Sequence, residues 1–68
     1  MNTNLLKSEL TKQGFTQAAA AQAMGISLSR FNAKLNNTNG AEFSLGEART
    51  MKELLNLSTE QLTHIFFS

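Results

Sequence analysis

The stretch Gln17–Asn36, QAAAAQAMGISLSRFNAKLN, constrains this chain more than any other. It reads as a short helix, a tight turn at Gly25 and a second short helix. Gly25 follows the last apolar residue of the first helix, where a left-handed backbone costs glycine least. Ser27 is then placed to N-cap the second helix, with Ile26 just before it and Phe31 at the fourth helical position. That pairing is a hydrophobic staple, and it fixes the angle at which the second helix leaves the turn. Ala20 and Ala21 are small where two crossed helices must approach closely. Two helices joined through a short turn containing glycine make a helix-turn-helix.

Thr16-Gln17 opens this unit, Ala21 stands at the close contact, Met24-Gly25-Ile26 makes the turn, and Phe31 lies in the second helix. Lys34-Leu35-Asn36, Phe43, Leu57-Ser58 and Ile65-Phe66-Phe67 follow in order. On these residues the chain resembles the phage Cro and lambda-type repressor family (the Xre-like class), in particular small Cro-type proteins of phages infecting Gram-positive bacteria. The resemblance runs over nearly all of residues 1–68. It implies one all-α domain, a compact five-helix lambda-repressor-like fold with the helix-turn-helix on helices two and three. It also implies a transcriptional regulator that binds operator DNA in a phage genetic switch.

The remaining chain supports such a unit. Met1 to Asn4 is polar and reads as a frayed start. Leu5, Leu6 and Leu10 give an apolar stripe at helical spacing, Gly14 stops that helix, and Phe15 turns inward before the Thr16 cap. Asn36 to Gly40 is too polar to continue the second helix of the motif and reads as a loop. Two capping boxes then announce two more helices: Ser44 with Glu47 and Ser58 with Gln61. Phe43 with Ala48 and Leu57 with Leu62 are their staples, and Asn56-Leu57 is a corner between them. The stripe Leu45, Ala48, Met51, Leu55 continues the apolar face. One core of Leu10, Ala21, Met24, Phe31, Leu35, Met51, Leu55, Leu62 and Ile65 is expected.

Composition excludes several classes. Sixty-eight residues bury only about 60% of their unfolded surface, so stability is modest. Without cysteine there is no disulfide and no cysteine-based zinc site, and the reducing cytoplasm of a bacterial host is the expected compartment. No apolar run is long enough for a membrane span or a leader peptide. His64 is the sole histidine, and Glu60 four residues earlier shares its helix face. One His and one Glu do not fill a coordination sphere, and no nucleophile with its base is present. The expectation is therefore no enzyme, no metal and no cofactor. Six Lys and Arg stand against five Asp and Glu, a net charge of +1. A DNA binder so nearly neutral must segregate its cations onto one face.

The resemblance assigns the DNA-reading positions to Ser27, Leu28, Ser29, Asn32 and Ala33. Ser29 and Asn32 carry donors and acceptors, and Asn32 suits adenine by geometry. Leu28 meets a thymine methyl or else joins Phe31 and Leu35 in the core. Arg30, Lys34 and Gln17 are cast as phosphate contacts, and the loop amide of Asn37 lies where the family fold approaches the DNA backbone. A competing reading makes the chain an antirepressor that binds the cognate phage repressor through Ala18, Gln22, Leu28 and Ala33. The alanine run Ala18 to Ala21 serves either reading, as a plain helix former or as a charge-poor docking face. The chain is expected to be monomeric in dilute solution and to pair on DNA. Adjacent Phe66 and Phe67 cannot both face one core, so they either mediate self-association or are both half-buried against Leu62 and the first helix.

Overall fold

Asn2 caps the first helix of the computed structural model, which describes residues 1–67, by accepting the Leu5 N–H at 3.1 Å on its Oδ1. Helix α1 then runs Thr3–Lys12, α2 Gln17–Met24 and α3 Leu28–Leu35. A single 3-10 turn at Thr38–Gly40 leads to α4, Leu45–Leu54, and α5, Thr59–Phe66. Among the described residues there are five α-helices and no strand, so the chain is all-α. The helices begin where the caps say they should. Ser44 Oγ accepts from Glu47 N–H while the Glu47 carboxylate accepts from Ser44 N–H, and Ser58 with Gln61 repeats the arrangement on α5. Each box satisfies backbone N–H groups that the first turn leaves without an intrahelical partner.

All five helices contribute to one core. Leu6 and Leu10 come from α1, Ala20 and Ala21 from α2, Phe31 and Leu35 from α3, Met51 from α4 and Ile65 from α5, with Leu55 and Leu57 between the last two. The Cα radius of gyration, 10.7 Å, matches the value of about 11 Å expected of a single compact domain of this length. Beside the core, Phe43 bridges two aromatic contacts. Its ring lies edge-on to Phe31 at 5.5 Å and to Phe66 at 6.0 Å.

Helix α1 does more than fill space. Its neighbourhood supplies three donors to carbonyls at the C-terminal ends of other helices, groups that a helix cannot satisfy itself. Thr3 Oγ1 donates to Leu35 O at the end of α3 (2.7 Å), Asn2 N to Ile65 O in the last turn of α5 (2.6 Å), and Gln13 Nε2 to Leu55 O at the cap of α4 (2.7 Å). The expected frayed start is corrected accordingly: Asn2 and Thr3 are tied down by a cap and two tertiary hydrogen bonds.

Other expectations also change. Leu5 and Leu45 occupy stripe positions yet stay exposed, and Leu62 is half-buried and outside the core, whereas Leu57 at the corner is buried. Leu45 is the first residue of α4. Of the two terminal aromatics, Phe66 packs against the core through Phe43 and Phe67 is exposed, so the arrangement with both rings half-buried is corrected. The loop after α3 holds two left-handed asparagines, Asn37 and Asn39, both at φ 53°, and a third, Asn56, turns the corner before α5 at φ 51°. Asparagine tolerates this region because its short amide can hydrogen-bond locally; Asn37 Nδ2 donates to Ala41 O at 3.0 Å.

Candidate nucleic-acid interface

Thr16 Oγ1 accepts from Ala19 N–H at 3.0 Å and starts α2. The helix ends in a left-handed Gly25, φ 72°, ψ 27°. Gly25 N–H donates to Gln22 O and Ile26 N–H to Ala21 O, the two bonds of a Schellman closure. Ser27 caps α3 at once, its Oγ accepting from Arg30 N–H at 3.1 Å. Three residues therefore separate the two helices, and each has a backbone or side-chain task. Ile26 is half-buried and packs on the core cluster that holds fully buried Phe31, the placement a staple between them requires. The buried alanines Ala20 and Ala21 let α2 lie close to α3 and α4.

Phe31 and Leu35, four apart on α3, turn one face inward and both are completely buried. The opposite side carries the sequence-predicted reading positions. Ser27, Leu28, Ser29 and Arg30 are exposed at the start of α3, while Asn32 and Ala33 are half-buried. Leu28 keeps 45% of its surface exposed, so it does not join Phe31 and Leu35 in the core. Gln17 is half-buried at the first position of α2, and Ala18 and Gln22 lie exposed one turn apart on the same helix. The chain thus brings together Ser27, Leu28, Ser29 and Arg30 at one helix start.

Lys34 is placed differently. Its Nζ donates to both carboxylate oxygens of Glu47, at 2.8 and 2.6 Å, and each side chain is only 15% exposed. The phosphate role expected of Lys34 competes with this pairing: its charge is matched, across the loop, by Glu47 in the first turn of α4. Glu47 accepts from Ser44 N–H as well. Burial pushes its carboxyl up, but hydrogen bonds from Lys34 and Ser44 and the Lys34 charge outweigh that effect and hold it below the usual range. The pair also joins favourable helix ends, a cation in the last turn of α3 and an anion in the first turn of α4. Both residues were visible in the sequence, one as a cation and one as a box partner. Their meeting was not, because they stand thirteen positions apart with a left-handed loop between them.

Asn37 lies outside the α3 face. It lines an open groove of about 300 Å³ on the side formed by Phe43, Leu45, Phe66 and Phe67, which the sequence did not announce as a site. No cluster of three or more His, Cys, Asp or Glu that would hold a metal exists among the described residues. His64 and Glu60 share a face as expected, 3.7 Å apart and both exposed. No helix among the described residues is long and apolar enough to cross a membrane. Comparison with family models, curated proteins and solved structures finds no match to this chain.

Proposed function

We propose that this chain is a transcriptional regulator of the phage Cro type, binding operator DNA through α2 and α3 in the cytoplasm of a bacterial host. One observation carries the reading. The start of α3 is exposed, capped by Ser27 and aimed by a staple and a left-handed turn, while its other face is locked in the core by Phe31 and Leu35. A helix end held rigidly from behind suits insertion into a major groove about 12 Å wide. Ser29 and Asn32 supply base-edge donors and acceptors, and exposed Leu28 offers a methyl contact to thymine. Arg30 and Gln17 serve the phosphates, without Lys34. The test is selection from a pool of random-sequence duplexes, followed by fluorescence anisotropy on the selected duplex and a scrambled one. The expected result is one enriched sequence, bound about 10³-fold or more tighter than the scramble at physiological salt. No enrichment, with equal affinity for both duplexes, overturns the reading.

A second reading keeps one specific support. Exposed Leu28, Ala18 and Gln22 are uncharged, and pairing Lys34 with Glu47 removes a cation from the helix-turn-helix. Such a surface is cheap to desolvate against a protein. An antirepressor of this design binds a longer helix-turn-helix repressor, and Leu28→Glu abolishes that complex in a pull-down while far-UV circular dichroism stays unchanged.

A further inference from the structure

Asn36, Asn37 and Asn39 crowd the loop between α3 and α4, and all three are exposed. Asparagine is thermolabile because the backbone nitrogen of the next residue can displace ammonia from its side-chain amide. The residue that follows sets the rate, since its side chain obstructs that nitrogen and glycine has none. Asn39 alone precedes a glycine, Gly40. The space around Gly40 is open: a methyl group on its Cα would meet no atom within 4 Å. The other left-handed asparagines are placed differently. Asn37 precedes β-branched Thr38 and gives its amide to Ala41 O, and Asn56 precedes buried Leu57.

We propose that Asn39 is a site of spontaneous modification. The Gly40 nitrogen attacks Asn39 Cγ, a C–N bond forms, the Cγ–Nδ2 bond breaks, and ammonia leaves with the Gly40 proton. The product is a succinimide ring. Water then opens the ring at Cγ, leaving aspartate, or at the backbone carbonyl carbon, leaving isoaspartate with a backbone one methylene longer. The net change consumes one water and releases one ammonia. The folded turn meters this reaction. Asn39 is left-handed, φ 53° and ψ 33°, which turns the Gly40 nitrogen away from the side chain. That N–H also donates to Asn37 O at 3.2 Å. Attack therefore waits for the turn to open. Two backbone bonds close it, Gly40 N to Asn37 O and Ala41 N to Thr38 O, in an exposed loop. Such a segment opens locally far more often than the whole domain unfolds. Either product puts a carboxylate where the loop had a neutral amide, which cancels the net charge of +1. Isoaspartate also lengthens the path between Lys34 and Glu47, whose ion pair spans this loop. The chemistry is independent of what α3 binds.

Peptide mapping by mass spectrometry on the whole chain, aged in mildly alkaline buffer, locates the change. The expected gain is one mass unit at Asn39, at least about tenfold faster than at Asn36, Asn37 or Asn56. Guanidinium chloride, which opens the turn, speeds the gain at Asn39 several-fold. Ion exchange then separates the aged products for thermal melts. The isoaspartate fraction melts below Asn39→Asp, which carries the same charge without the extra methylene and, tolerating the left-handed region, melts near wild type. A chain that gains no mass at Asn39, or gains it as fast at another asparagine, overturns the proposal. A folded-state rate equal to the denatured one overturns the metering by the turn. An isoaspartate fraction that melts together with Asn39→Asp refutes the effect on the Lys34–Glu47 loop.

Discussion

Replacing Glu47 by Gln isolates what the Lys34–Glu47 pair contributes. Glutamine at this position still accepts from Ser44 N–H, as Gln61 does from Ser58 N–H in α5, so the capping box survives and only the charge is lost. Hydrogen bonds to charged groups contribute about 1.5–3 kcal/mol when buried, and exposed pairs only about 0.2–1. With both side chains 15% exposed, the pair falls between these limits, and Lys34 can extend toward water once its partner is gone. The expected loss is about 1–2 kcal/mol, or on the order of 4–15 °C in Tm for a domain this size. Glu47→Ala removes the cap as well and costs about 0.5–1 kcal/mol more. Gln61→Ala, which breaks the same box without any ion pair, measures that cap alone. The sign of the pH dependence follows from the lowered Glu47 carboxyl. A depressed folded pKa adds stability above the ordinary carboxylate range and loses it as pH falls through the folded value. The gap between wild type and Glu47→Gln is therefore full at pH 7 and closes below about pH 4. Thermal melts by circular dichroism across that range measure it. A Glu47→Gln protein with wild-type Tm at pH 7, or a gap that persists unchanged in acid, refutes the reasoning.

Three further outcomes are expected. Phe31→Ala empties the centre of the core and costs about 3–5 kcal/mol, enough to unfold so small a domain, which a flat urea melt reveals. Gly25→Ala meets no neighbouring atom within 4 Å, so its cost is that of the left-handed backbone, about 1–2 kcal/mol in Tm-derived stability. On duplex DNA, Arg30→Ala lowers the salt slope of binding by about one, whereas Lys34→Ala leaves it unchanged; Glu47→Gln, which releases Lys34, raises it by about one.

Local signals carried the α2–turn–α3 unit a long way. Gly25, the Ser27 cap, the Ile26–Phe31 staple and both capping boxes appear where spacing placed them, since each involves groups within five positions of one another. The exposed face of α3 was legible for the same reason: once Phe31 and Leu35 turn inward, helical geometry turns Ser29 and Arg30 outward. Periodicity misled at element ends. Leu5, Leu45 and Leu62 keep helical register with buried neighbours, but register says nothing about whether another helix lies opposite.

The sequence by itself determined the helices and their starts and stops, because caps and left-handed glycines act over one or two helical turns. Tertiary structure alone decided which of two cations on α3 is available. Arg30 stands in solvent, while Lys34 meets Glu47 across a loop whose path depends on left-handed Asn37 and Asn39. It also decided that the start of the chain is held to the ends of α3 and α5, and that Phe66 is covered while Phe67 is not. These contacts join residues far apart in sequence, and their geometry exists only once all the helices have packed.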